Sequence, residues 1–133
     1  MPKALRVLIV DDMPDDAQLM LTKIRQAGYE PTYKLVDTEE DLMSATIAEK
    51  WDVVLCDYSM PFMTAEQSLS WIKQTCPGTP FILISGYVDE QLASGVLKKG
   101  AIAYVDKNKM DKLVPTIEQA IQKAALKKSG PSK

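Results

Sequence analysis

The sequence of 133 residues contains no histidine at all. This absence excludes histidine-based acid–base catalysis, Ser/His/Asp triads and zinc sites with histidine ligands. Only two cysteines are present, Cys56 inside an apolar run and Cys76 beside Pro77. Their spacing fits no metal site, so we expect both to be free thiols. Any chemistry in this chain must therefore come from carboxylates, hydroxyl groups and lysines.

Long apolar runs and an excess of basic residues are also missing. No run approaches the ~20 residues that span a bilayer, and the start, Met-Pro-Lys-Ala, leads into a strand-like segment rather than a signal peptide. The formal net charge is −2, with no basic stripe. We therefore expect a cytoplasmic protein that binds neither membranes nor nucleic acid directly.

The length and composition fit one soluble globular domain. Hydrophobic residues make up 46% of the chain and charged residues 26%. A chain of this length buries about two thirds of its unfolded surface, which is enough for one core. Residues 127–133 contain only Lys, Ser, Gly and Pro. We predict a domain over residues 1–126, followed by a flexible tail or linker stub at 127–133.

Five short apolar segments alternate with segments of helical character. Strands are predicted at residues 5–10, 33–36, 52–56, 81–84 and 101–105. All but the second are rich in Val, Ile and Leu without clean alternation, which is typical of parallel strands covered on both faces. The second is weaker and is predicted near an edge. Pro14 marks the start of the first helix, and Gly28 and Gly100 mark helix ends. The order predicts a doubly wound α/β fold with five βα units.

Polar residues directly follow these strands, where open α/β sheets bind their ligands. They are Asp11 and Asp12 after the first strand, Asp57 after the third, Ser85 after the fourth, and Asp106 and Lys107 after the fifth. The carboxylates of Asp11, Asp12 and Asp57 would repel one another unless a cation such as Mg²⁺ offset their charge. Ser85 and Lys107 would complete an anion cradle, which makes Asp57 the candidate nucleophile for an aspartyl-phosphate.

Four sequence segments carry a resemblance to a known family. They read Val-Leu-Ile-Val-Asp-Asp at 7–12, Asp-Val-Val-Leu-Cys-Asp-Tyr-Ser-Met-Pro at 52–61, Phe-Ile-Leu-Ile-Ser-Gly at 81–86 and Ala-Tyr-Val-Asp-Lys at 103–107. Together, over roughly residues 5–126, they resemble the receiver domains of bacterial two-component response regulators. The resemblance implies the flavodoxin-like fold of the chemotaxis regulator, with strand order 2-1-3-4-5. It also implies a signalling phosphoprotein rather than an enzyme.

The resemblance assigns the metal and phosphoryl roles residue by residue. Asp57 would accept the phosphoryl group and bind Mg²⁺ directly together with Asp12. Asp11 would act mainly through water, and the main-chain carbonyl of Ser59 would supply another ligand. Two further residues would contact the phosphoryl group, Ser85 by a hydrogen bond and Lys107 by an ion pair.

Partners and switching follow from the same resemblance. The donor would be a sensor histidine kinase or a histidine phosphotransfer protein, and the recipient a downstream effector protein or output domain. We expect a monomer or weak dimer. Tyr104 matches the switch aromatic, whose ring turns inward when the Ser85 hydroxyl moves, although a Tyr on a strand is commonly a core aromatic. Ser59 and Tyr87 would flank the attacking water without a carboxylate or amide to orient it, which predicts slow self-dephosphorylation.

The sequence also departs from the family pattern. Asn108 stands where Pro usually follows the lysine, and Ala65 stands where Gly is usual, so both turns are expected to differ. Asp106 would compete for the Lys107 ammonium.

Other functions remain open at this stage. The chain could be a receiver cut from a hybrid kinase or a cyclase/phosphodiesterase, or a degenerate receiver that only binds proteins. An aspartyl-phosphate phosphatase would need an acid two residues beyond its nucleophile, which the segment Asp11-Asp12-Met13-Pro14 lacks. A nucleotide-binding module would need a Gly-rich motif after the first strand, and none is present. Asp11 and Asp12 could also be simple helix caps.

Overall fold

A single parallel sheet forms the centre of the molecule. The computed structural model of the protein describes residues 3–58, 63–86 and 90–129. The strands are β1 (Lys3–Val10), β2 (Tyr29–Val36), β3 (Val53–Asp57), β4 (Phe81–Ser85) and β5 (Ala103–Asp106). All neighbouring strands are parallel, in the order β2-β1-β3-β4-β5. The predicted flavodoxin-like fold is therefore confirmed.

Helices connect consecutive strands. They are α1 (Pro14–Gln26), α2 (Glu39–Ala48), α3 (Ala65–Thr75), α4 (Glu90–Lys98), a short 3-10 helix η1 (Lys107–Lys112) and α5 (Leu113–Ser129). Gly28 and Gly100 have φ angles of 96° and 127°, a left-handed conformation that other residues adopt at a cost, and each follows a helix as predicted. None of the described helices is long and apolar enough to cross a lipid bilayer.

Two hydrophobic cores cover the two faces of the sheet. Alternate residues of each central strand point to opposite faces, so that Val7 and Ile9 of β1 pack under α1 and α5, whereas Leu8 and Val10 pack under α2, α3 and α4. All five residues of β3 and of β4 are buried. This burial on both sides explains why each of these strands is apolar up to its last residue. Both cysteines are free thiols, and Cys56 lies in the core under α2, α3 and α4.

The predicted boundaries differ from the observed ones mainly at the two edge strands. β2 begins at Tyr29 rather than at residue 33, because an edge strand that is largely exposed tolerates polar residues and Pro31. β5 begins at Ala103, since the Ala101 N–H instead bonds the Val96 carbonyl at the end of α4. α5 continues to Ser129, three residues past the predicted domain end, and residues 130–133 lie outside the described part of the chain.

Both departures from the family pattern are accommodated by local capping. The described residues contain no cis peptide bond, and Asn108 lies in η1, where its N–H donates to the Asp106 carboxylate at 2.9 Å. Ala65 is the fully buried first residue of α3. Thr64 caps that helix in a capping box, in which its hydroxyl accepts from the Gln67 N–H and the Gln67 side chain accepts from the Thr64 N–H.

The capping box gives a stability prediction. Thr64→Ala removes the acceptor of the Gln67 N–H and should lower the free energy of unfolding by about 1 kcal/mol, as is typical of lost N-caps. Thr64→Ser is the matched control, because it keeps the hydroxyl. Urea denaturation at constant m-value measures the difference. An Ala variant as stable as the Ser variant would show that the cap contributes nothing.

Candidate functional site

The carboxyl ends of the central strands meet at one edge of the sheet. Val10, the last residue of β1, is in register with Cys56, so that Asp11 and Asp57 both follow at the same level. Asp57 is in register with Ile84, and Ser85 with Asp106. The parallel register therefore brings together polar residues that lie far apart in the sequence, as the sequence analysis predicted.

Three carboxylates cluster at this edge. One carboxylate oxygen from each of Asp11, Asp12 and Asp57 lies within 4.8 Å of the others. Asp11 and Asp57 are buried, and Asp12 is partly exposed. Clustered hard oxygen donors with one open side are what Mg²⁺ requires, since that ion keeps several waters and takes one or two carboxylates from the protein. The residues present therefore fit a Mg²⁺ site.

Asp11 is fixed in place by the backbone. Its carboxylate accepts a hydrogen bond of 2.9 Å from the Met13 N–H. Met13 is the N-cap of α1, and its own side chain makes no capping hydrogen bond, so the Asp11 carboxylate accepts the N–H of the residue that precedes the first helical turn. Burial raises the pKa of Asp11 to about 6; the Met13 hydrogen bond and Lys107 oppose this rise, and the charge of Asp57 adds to it.

The Lys107 ammonium is the counter-ion of the site. Its nitrogen lies 3.3 Å from Asp11 Oδ2, 3.2 Å from Asp57 Oδ1 and 2.6 Å from Asp16 Oδ2. Burial by itself lowers the pKa of Lys107, but the hydrogen bond to Asp16 and the charges of Asp57 and Asp11 outweigh it and raise the pKa above its ordinary value. The ammonium therefore stays charged among the carboxylates.

Asp16 is the residue that sequence reasoning missed. It lies in the first turn of α1 beside Asp15, where acidic residues are common because they complement the helix dipole. The only signal in the sequence was this second acidic pair, separated by Met13 and Pro14 from the two strand-end aspartates. Among the described residues, the ion pairs of Lys107 are with Asp11, Asp16 and Asp57 and not with the adjacent Asp106, whose carboxylate accepts from the Asn108 N–H.

The remaining predicted residues lie around this centre. Ser85 is buried at the end of β4. Tyr104 lies on β5, in register with Leu83 of β4. Its half-buried ring packs against the core under α2, α3 and α4. The Lys107 stem lies beside Gly86, whose carbonyl accepts from the Asn108 side chain at 3.3 Å. Ser59 and Tyr87 lie outside the described residues.

Burial of Asp11 predicts a specific pH dependence of stability without metal. The folded-state pKa of about 6 exceeds the value of 3.8 expected in the unfolded chain. The folded state therefore binds more protons between these values, and its free energy of unfolding falls as the pH rises through them. Asp11→Asn removes the titrating group and therefore this loss. Between pH 4 and pH 6, the free energy of unfolding of the variant minus that of the wild type should therefore rise. Each pKa unit corresponds to about 1.4 kcal/mol, so the rise should reach up to about 3 kcal/mol.

Urea denaturation in EDTA, at several pH values from 4 to 7, measures this difference. Asp15→Asn is the control, since it removes a nearby carboxylate that is exposed rather than buried. If the relative stability of Asp11→Asn rises no more than that of Asp15→Asn, burial of Asp11 does not have the stated cost.

Comparisons with known proteins point to one family. The transcriptional regulatory protein ZraR of Salmonella typhimurium is 28% identical over 116 residues, which cover 86% of this chain and 26% of that protein. The protein-glutamate methylesterase/protein-glutamine glutaminase of group 1 operon of Pseudomonas putida is 32% identical over 110 residues, covering 79% of this chain and 29% of that protein. The chain thus spans about a quarter of the length of the curated relatives that it matches.

The fold has close counterparts among solved structures. A CheY-like response regulator receiver domain protein from Methanospirillum hungatei superposes with a TM-score of 0.79 and 23% identity, covering 96% of this chain and 99% of that one. The sequence profile of the response regulator receiver domain matches residues 7–118, which include the second half of β1, all of β2 to β5 and every strand-end residue of the site. The chain therefore belongs to the response regulator receiver domain family of two-component signalling systems.

Proposed function

We propose that this domain works in the cytoplasm as a Mg²⁺-dependent phosphoacceptor. A carboxylate oxygen of Asp57 attacks the phosphorus of a phosphohistidine on a sensor histidine kinase or a histidine phosphotransfer protein. The new P–O bond forms as the P–N bond breaks, and the imidazole leaves and takes up a proton. The observation that carries this proposal is the position of the buried Asp57 carboxylate, between two further carboxylates and an ammonium 3.2 Å away. Membership in the receiver family favours this function over an aspartyl-phosphate phosphatase.

Asp12 and Asp57 would bind the metal directly, Asp11 through water, and the Ser59 carbonyl would complete the protein ligands. When bound, Mg²⁺ offsets the charge of the carboxylates and of the incoming phosphoryl group. The support for this ligand set is the short separation of the three carboxylates and the burial of Asp11.

Lys107 and Ser85 would hold the transferred group. The Lys107 ammonium already lies within hydrogen-bonding distance of the Asp57 carboxylate, so it needs little movement to pair with an oxygen on Asp57. Ser85 ends β4, the strand next to β3, and its hydroxyl would donate to the same group. These contacts would stabilise charge on the phosphoryl oxygens without any covalent role for either residue.

The output surface would be the face formed by α4, β5 and α5, read by an effector protein or an output domain. Ser85 and Tyr104 lie on neighbouring strands, and Tyr104 packs against the core that also contains Val96 of α4. A shift of the Ser85 hydroxyl toward Asp57 would open space for the Tyr104 ring. A local change of charge would thereby bias a packed element between two arrangements.

Asp57 should be the site of modification. Acetyl phosphate with Mg²⁺ should add one phosphoryl mass to the wild type, and Asp57→Asn should abolish this gain because an amide is not a nucleophile at phosphorus. Intact-protein mass spectrometry measures it, with EDTA as the metal-free arm and Asp15→Asn as the control for loss of an acid. A phosphoryl mass on Asp57→Asn would place the acceptor elsewhere.

The coupling to the output surface gives a second expected result. Fluoroberyllate with Mg²⁺ mimics the phosphoryl group on a carboxylate, so it should shift backbone amide resonances at Tyr104 and along α4 as well as near Asp57. Asp57→Asn is the control and should show none of these shifts. Changes confined to the residues around Asp57 would argue against a switch through Ser85 and Tyr104.

A further inference from the structure

Among the described residues, Asp16 is the closest partner of the Lys107 ammonium, at 2.6 Å. An ammonium has three N–H donors, and its described carboxylate partners are Asp11, Asp16 and Asp57. Two of these carboxylates belong to the cluster that fits a divalent cation, whereas Asp16 lies outside that cluster. Lys107 therefore divides its donors between the metal ligands and one carboxylate that is not among them.

A divalent cation and the ammonium compete for Asp11 and Asp57. Like charges that share ligands at about 3 Å repel strongly, all the more because both carboxylates are buried and screening by water is weak. An ammonium that gives up these two partners loses most of its charge compensation unless another anion receives it. Asp16 is already bonded to the ammonium and lies outside the carboxylate cluster, so it stays available as a partner when Asp11 and Asp57 bind a cation.

We propose that Asp16 is a positioning residue that receives the Lys107 ammonium when a divalent cation occupies Asp11, Asp12 and Asp57. This inference rests on the proposed function for the metal, and it adds a role for a residue of α1 outside the strand ends. Asp16 makes metal binding more favourable without touching the metal, and it keeps Lys107 at the rim of the site for the group that arrives on Asp57.

Among the described acidic residues near Lys107 that lie outside the metal cluster, Asp16 is the one placed to receive the ammonium. Its backbone is fixed in the first turn of α1, where its N–H bonds the Met13 carbonyl at 3.1 Å. Its neighbour Asp15 is exposed, and no contact joins it to Lys107. Asp106, although adjacent to Lys107 in sequence, accepts from the Asn108 N–H. The Asp16 side chain is one-third exposed, so water reaches it while it accepts from Lys107.

The test is a double-mutant cycle on the dissociation constant of Mg²⁺, measured by isothermal titration calorimetry on the unphosphorylated protein. Asp16→Asn and Asp15→Asn are compared in the wild type and in a Lys107→Met background. Both substitutions remove one charge from the same helical turn, so their difference isolates the ion pair with Lys107 from the general loss of negative charge. Circular dichroism checks that each variant is folded.

In the wild-type background, Asp16→Asn should weaken Mg²⁺ binding about fivefold more than Asp15→Asn, which is the upper end of the range for ion pairs that water can reach. In the Lys107→Met background the two should be equal, because no ammonium has to be relocated. Equal effects in the wild-type background, or a difference that persists without Lys107, would overturn the inference while leaving the Mg²⁺ site intact. If the wild type binds no Mg²⁺, both this inference and the metal part of the proposed function are wrong.

Discussion

The balance of charge between two buried carboxylates and one ammonium is the constraint on which this site depends. Asp11 and Asp57 are both shielded from water, and neither would be tolerated there as an isolated charge. Lys107, directly after β5, offsets part of this cost. Three clustered carboxylates still face this one ammonium, and the excess of negative charge gives a divalent cation a physical reason to bind there.

The fold supplies that arrangement by stacking parallel strands in register. β1 and β3 are buried on both faces, so their backbones are held rigidly and their last residues open at the same edge. The helices contribute less to the site, with the exception of α1, whose first turn carries Asp16 to the Lys107 ammonium. The rigid core therefore positions the carboxylates, and the first turn of α1 supplies one more partner for the Lys107 ammonium.

The same geometry relates the site to the surface. β4 and β5 lie on one side of Asp57, and their residues connect the edge of the sheet to the core under α4. The Asn108 side chain donates to the Gly86 carbonyl and so ties the start of η1 to the segment after β4. This chain makes that connection with an amide side chain at a position where the family usually has proline.

The sequence by itself determined the fold class, the five strands in order and the residues at their ends, because apolar runs buried on both faces and the Gly and Pro residues between them are local signals. It left the bounds of β2 and β5 uncertain, since edge strands carry little hydrophobic pattern. Only the tertiary structure decided that Lys107 pairs with Asp16 rather than with the adjacent Asp106. That choice depends on how α1 packs beside β1 and η1, and a contact across 91 positions leaves no pattern in the local sequence.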